Sequence, residues 1–115
     1  MNSVKVLCVE HCSEYLEGMK DMLENAGYEV VCATTGQQGM VELSNKPIQG
    51  VLLEYDLPDM PGGFVRDEMK RIKPEVPVLL FSGIGGQTPF MLRFFDSYVR
   101  NVNAPERVFL EMEER

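Results

Sequence analysis

Short apolar runs recur along the chain, and stretches with helical spacing of apolar residues lie between them. Four runs, over 4–9, 28–32, 48–53 and 76–81, are bounded by polar residues, Gly or Pro and predict strands. A β-rich stretch predicts a fifth strand over 98–102. The segments between the strands place apolar residues three or four positions apart, which predicts helices with one buried side.

The order of these elements is strand then helix, repeated five times. Strict alternation implies a parallel sheet that has helices on both faces and right-handed crossovers. We therefore expect an α/β, flavodoxin-like (βα)5 fold: a doubly wound, five-stranded parallel sheet of order 2-1-3-4-5 in a three-layer αβα arrangement. A length of 115 residues fits a single domain over 1–115.

An acidic loop follows the third predicted strand. The apolar run Val51–Leu53 ends in Glu54 and Asp56. Sites in parallel sheets lie beyond the carboxyl ends of the strands, and this strand order brings the loop after the first strand, Glu10 and His11, across the same crevice. The sequence therefore predicts that the chemistry of the domain lies there.

Composition narrows the classes of function. Eleven Lys and Arg against 18 Asp and Glu give a net charge of −7, which argues against nucleic acid as a partner. No apolar run approaches the roughly 20 residues of a membrane span, and the first residues lack the layout of a signal peptide. We expect a cytoplasmic protein without a membrane partner.

The three cysteines suggest one alternative function. Cys8 and Cys32 fall in predicted strands as small core residues, whereas Cys12 follows His11 in a loop. Their spacing matches no zinc motif. A small metal- or redox-binding protein that uses His11 and Cys12 stays open as a less favoured function.

Four segments together resemble the receiver domain of bacterial response regulators, the CheY-like fold. They are VLCVEH, VLLEYDLPDMPGG, LLFSG and SYVRNVNAPERV, in this order and spacing over nearly the whole chain. The resemblance implies a signalling module of two-component, or phosphorelay, type. Receivers carry an acidic pair that binds a divalent cation, an Asp that accepts phosphate, a Ser or Thr, a Lys and an aromatic switch residue.

Carried onto this chain, the resemblance implies a degenerate phosphoacceptor site. The acidic pair falls on Glu10 and His11, the phosphoacceptor on Glu54, the hydroxyl on Ser82 and the lysine on Asn101. Tyr98 keeps the place of the switch aromatic, and Gly62 that of the loop glycine. Asp56 and Arg100 are secondary candidates for the acceptor and the cation.

Three departures from the family pattern act against phosphotransfer. Because His11 replaces a carboxylate, the Mg²⁺ site would lose one oxygen ligand and one negative charge. Asn101 replaces the lysine whose positive charge would balance a phosphate. Glu54 is one methylene longer than Asp, which shifts the carboxylate by roughly 1.5 Å. We expect weak or lost Mg²⁺ binding, no other cofactor and no enzymatic activity; a working phosphoacceptor at Glu54 or Asp56 is the alternative.

Two interpretations of Glu54 stay open. Its permanent charge could imitate a phosphorylated Asp and bond to Ser82, or the site has decayed and Glu54 points to solvent. A transition-metal site at Glu10, His11 and Glu54 has only the placement of these residues in its favour. We therefore predict no metal, with Glu10 and Glu54 as the residual candidates.

An apolar surface is predicted near the carboxyl terminus of the chain. A short helix over 89–95 is apolar nearly all round, and the last predicted helix also carries apolar residues beyond one face. The interface residues we expect are Phe90, Met91, Phe94, Phe95 and Leu110. The expected partner is a sensor kinase or another signalling protein, or a second copy in a homodimer; alternatively, the short helix is buried on both faces.

Overall fold

Strands and helices alternate along the chain in the computed structural model, which describes residues 3–81 and the helical positions 93, 95 and 99. The elements are β1 (Lys5–Val9), α1 (Ser13–Asn25), β2 (Glu29–Ala33), α2 (Gly36–Asn45), β3 (Gly50–Glu54), α3 (Gly62–Ile72) and β4 (Val78–Phe81). Each of the first four predicted strands is present. None of the described helices is long and apolar enough to cross a membrane.

The four strands form a parallel sheet in the order β2-β1-β3-β4. Val9 at the end of β1 pairs with Ala33 and Leu53, and Glu54 at the end of β3 pairs with Phe81. The predicted flavodoxin-like topology is thus confirmed, and the carboxyl ends of all four strands lie at one edge. Because β1 and β3 are neighbours, the loops that follow them meet there.

Alternating side chains of the strands bury two apolar layers. On one face, Leu52 of β3 packs in the cluster that includes Leu16, Met19 and Leu23 of α1. On the other face, Leu53 packs in the cluster that includes residues of α2 and α3, namely Leu43, Val65 and Met69. The arrangement has three layers, αβα, as the sequence predicts.

Local backbone chemistry sets the ends of the helices. Gly27 stops α1 with φ at +97°, a left-handed conformation that side chains disfavour. Thr35 caps α2 by accepting a hydrogen bond from Gln38 N, at 3.1 Å. Gly and Thr are among the residues preferred at these two kinds of helix end.

Phe95 is part of the core rather than of an exposed interface. Its side chain is fully buried in the cluster that contains α1, and its ring meets Tyr28 edge-on at a centroid distance of 5.8 Å. The prediction that Phe95 is an interface residue was therefore wrong.

Val99 was predicted to lie in a strand, but it is helical in the structure. It stands four residues after Phe95. A Cβ placed on Gly50 would lie 2.7 Å from Val99 Cγ2 and 3.5 Å from Phe95, so the missing side chain of Gly50 makes room for both. The other positions of the fifth predicted strand and all of the last predicted helix lie outside the described residues.

Candidate functional site

Two buried acids stand at the carboxyl edge of the sheet. Glu54 is the last residue of β3, and Glu10 directly follows β1. Their exposed fractions are 5% and 1%. The neighbouring strands therefore hold two carboxyl groups side by side and away from water, which is costly for both unless a proton or a cation is present.

His11 completes a cluster with the two acids. One ligand atom from each of Glu10, His11 and Glu54 lies within 4.8 Å of the others. His11 Nδ1 is 3.3 Å from Glu10 Oε2, which also accepts a hydrogen bond from Cys12 N at 3.1 Å. The imidazole is about half exposed, so the cluster opens to solvent on the His11 side.

Glu54 folds back on the start of its own loop. Its Oε2 accepts a hydrogen bond from Tyr55 N at 2.8 Å. Burial and the charge of Glu10 raise the pKa of Glu54 to about 7, although backbone hydrogen bonds from Asp56 and Tyr55 oppose the rise. The side chain of Glu54 is thus buried rather than directed to solvent, and its pKa lies well above that of an ordinary carboxyl group.

The loop after β3 turns tightly around Gly62. Gly62 N donates to Tyr55 O at 2.9 Å, and a Cβ at Gly62 would lie 2.6 Å from Tyr55 Cα and 2.8 Å from Glu54 O. Real side chains do not tolerate such distances to backbone. A glycine here lets the start of α3 approach the backbone that carries Glu54, which agrees with its assignment as the loop glycine.

The remaining predicted site residues are less central or fall elsewhere. Asp56 is exposed and forms an isolated bridge with Pro61, outside the cluster. The other assigned positions lie outside the described residues: Ser82, Phe90, Met91, Phe94, Tyr98, Arg100, Asn101 and Leu110.

Sequence analysis missed the role of Asp59. Its two carboxylate oxygens accept hydrogen bonds from Gly36 N and Gln37 N, each at 2.9 Å, at the start of α2. Burial alone would raise the pKa of Asp59, but these bonds outweigh it and lower the pKa. No local motif reveals a bond between residues 22 or 23 positions apart.

Comparison with known families agrees with this architecture. The model of the response regulator receiver domain matches residues 6–97, which is most of the chain. Response regulator RR06 of Streptococcus pneumoniae is 30% identical over 82 residues, covering 71% of this chain and 37% of that protein. Cell cycle response regulator CtrA of Brucella ovis is 28% identical over 83 residues, covering 72% and 36%.

Solved structures show the same fold. A CheY-like receiver domain from Methanospirillum hungatei superposes with a TM-score of 0.69 at 23% identity, covering 96% of this chain and 90% of that one. A two-component response regulator from Clostridium difficile superposes with a TM-score of 0.76 at 14% identity, covering 89% of this chain and 100% of that one.

The family model and the two curated relatives agree on the same class of domain, although the chain spans little more than a third of either relative's length. Its strand order and the placement of its acidic loops are those that the sequence resemblance implied. This chain belongs to the response regulator receiver domain family.

Proposed function

We propose that this receiver domain accepts no phosphoryl group and signals through contact with another protein. The observation that carries the proposal is the state of the acceptor position. Glu54 stands there, buried against Glu10 and bonded to its own loop through Tyr55 N. A receiver that transfers phosphate needs a short, ionised carboxylate aimed at the donor.

The geometry of Glu54 works against attack on a phosphoryl donor. The extra methylene of Glu shifts the carboxylate by roughly 1.5 Å relative to that of an Asp, and Oε2 already accepts a hydrogen bond from Tyr55 N. A displacement on the 1 Å scale can lower a rate by about a hundredfold. The pKa of Glu54, raised to about 7 by burial and by Glu10, also favours the protonated carboxyl group, which is no nucleophile.

The donor set is a poor match to Mg²⁺, the ion implied by the family. Mg²⁺ demands near-octahedral oxygen ligands, and His11 offers a nitrogen where the family has a second acid. Asn101, at the position of the family lysine, brings no charge to balance a phosphate. Charge neutralisation and positioning are the main sources of catalysis in phosphoryl transfer, and both are weakened here.

A protein partner is the remaining route for a signal. Receiver domains act with other signalling proteins, and the curated relatives are named as response regulators. We propose a sensor kinase, another signalling protein or a second copy of this chain as the partner, a cytoplasmic location, and no catalytic activity of its own. Phe95 takes no part in the contact, because its side chain is buried.

Phosphate capture is the direct test. We expect no phosphate on the wild-type protein, by intact mass, after incubation with acetyl phosphate and Mg²⁺. The matched control combines Glu54→Asp, His11→Asp and Asn101→Lys, which restores the family residues and should acquire phosphate. A phosphorylated wild-type chain would instead support the rival function, a working acceptor at Glu54 or Asp56, and Asp56→Asn would then identify the residue.

The interaction part needs its own measurement. The tagged protein should retain the same partner from its native lysate, or the same self-association by sedimentation, with and without acetyl phosphate. A complex that forms only after addition of the phosphate donor would contradict the proposal.

A further inference from the structure

The cluster of Glu10, His11 and Glu54 places two buried carboxyl groups close together, and a bound cation would reduce their repulsion. Both carboxyl groups are more than nine-tenths buried, and they lie within 4.8 Å of each other. Within the described part of the chain, the basic group recorded beside them is the His11 imidazole, 3.3 Å from Glu10. Two neighbouring buried carboxylates repel each other, so a bound cation would relieve a cost already present in the fold.

The spacing of the three donors suits a single ion. Ligand atoms around a tetrahedral metal at about 2.0–2.2 Å lie roughly 3.5 Å apart. The three donor atoms all lie within 4.8 Å of one another, so the closure needed is at most about 1.3 Å. The His11 ring is half exposed and lies in the loop between β1 and α1, and exposed side chains change rotamer readily.

The sheet holds two of the three donors in place. Neighbouring parallel strands β1 and β3 fix the two buried acids, so the carboxylates are arranged before an ion arrives. The half-exposed imidazole places the cluster next to solvent. Three protein ligands with one open position is an arrangement that zinc adopts in proteins.

We propose that Glu10, His11 and Glu54 bind a divalent transition-metal ion, with Zn²⁺ as the reference ion, in preference to Mg²⁺. Imidazole with carboxylates suits zinc and its neighbours in the first transition row, whereas Mg²⁺ disfavours the nitrogen. The family's magnesium position is therefore converted to a different ion by one residue, His11. This inference does not depend on the loss of phosphotransfer, which acetyl phosphate tests separately.

Titration of the purified, chelator-treated full chain tests the proposal. We expect Zn²⁺ to bind at one equivalent and at least a hundredfold more tightly than Mg²⁺. His11→Ala should weaken Zn²⁺ binding at least tenfold, and His11→Asp should weaken Zn²⁺ while strengthening Mg²⁺. Equal affinities for the two ions, or an unchanged Zn²⁺ affinity in His11→Ala, would overturn the proposal.

A spectroscopic readout locates the ion. His11 is the one histidine in the chain, so a ¹⁵N-histidine-labelled sample gives a single pair of imidazole nitrogen signals. One of these signals should shift on addition of Zn²⁺ and not of Mg²⁺. Unshifted signals at saturating Zn²⁺ would place the ion elsewhere and overturn the assignment.

Cys12 is the necessary control, because it follows His11 in sequence and cysteine thiolates are common zinc ligands. Cys12→Ser should retain Zn²⁺ affinity within about threefold, since the thiol is not part of the cluster. A loss of binding in Cys12→Ser with retention in His11→Ala would mean a thiol site and would overturn the proposal. Circular dichroism of each variant verifies that the fold is intact.

Discussion

The carboxyl groups of Glu10 and Glu54 lie side by side at the ends of two neighbouring parallel strands, both shielded from water. Proximity and burial act in the same direction on Glu54 and raise its pKa to about 7. The charge at the acceptor position therefore varies over the neutral pH range. A solvent-exposed aspartate, in contrast, is ionised throughout this range.

Stability of the metal-free protein should fall as pH rises through neutrality. The pKa of Glu54 is about 7 in the folded state against 4.5 for the free side chain, so between these values the folded state binds more protons. By linkage the free energy of unfolding declines over that window and levels off above it. Urea unfolding in EDTA at pH 5.5 and pH 8.5 should show a difference of about 1–2 kcal/mol after solvent screening is allowed for.

Glu54→Gln should remove most of this pH dependence and unfold at a higher urea concentration than wild type at pH 8.5. The exposed Glu75 supplies the matched control, since Glu75→Gln should leave the pH profile unchanged. Parallel profiles for wild type and Glu54→Gln would show that the carboxyl of Glu54 titrates normally.

Gly62 and Gly63 form a natural pair for testing the loop that positions Glu54. A Cβ at Gly62 would meet the backbone of Tyr55 and Glu54 at 2.6–2.8 Å, whereas a Cβ at Gly63 meets nothing within 4 Å. Gly62→Ala should destabilise the domain by about 2 kcal/mol or more, because backbone must move. Gly63→Ala should be neutral or stabilise by up to about 1 kcal/mol. Thermal unfolding measures the stability of both variants. Equal changes in stability would contradict the close approach of Gly62 to the backbone of Tyr55 and Glu54.

Apolar periodicity was sufficient to predict the first four strands, their order and the three helices between them. Buried parallel strands are short apolar runs, and alternation with helices leaves few topologies. The meeting of Glu10, His11 and Glu54 followed from that topology alone. The sequence could not indicate that Glu54 would be buried and partly protonated, because burial and the distance to Glu10 are tertiary properties.

Phe95 and Asp59 show why the remaining expectations failed or were missing. An apolar helix can face a partner or its own sheet with the same sequence pattern, and Phe95 faces the sheet near Tyr28. Asp59 joins the loop after β3 to the start of α2 through hydrogen bonds from backbone N–H groups, which carry no side-chain signature.

Replacement of Phe95 should cost stability rather than association. Phe95→Ala removes a fully buried ring that packs on Tyr28, and it should lower the free energy of unfolding by about 3–5 kcal/mol. Phe64, with 52% of its surface exposed, is the control, and Phe64→Ala should change the free energy of unfolding by less than about 0.5 kcal/mol. Urea unfolding compares the two variants. Loss of self-association by Phe95→Ala with unchanged stability would restore the interface assignment.

Asp59 should stabilise the domain by holding the start of α2 against the loop after β3. Asp59→Ala removes the acceptor from the N–H groups of Gly36 and Gln37, and by analogy with lost helix caps it should cost about 1 kcal/mol at pH 7. Because the pKa of Asp59 is lowered from 3.8, the contribution is present above that value and disappears as pH falls through the folded-state pKa. The difference in unfolding free energy between wild type and Asp59→Ala should therefore shrink below about pH 4. Asp21→Ala, on the exposed side of α1, is the control, since Asp21 does not bond to the start of α2. If the difference between wild type and Asp59→Ala persists undiminished in acid, the charge of Asp59 is not what stabilises α2.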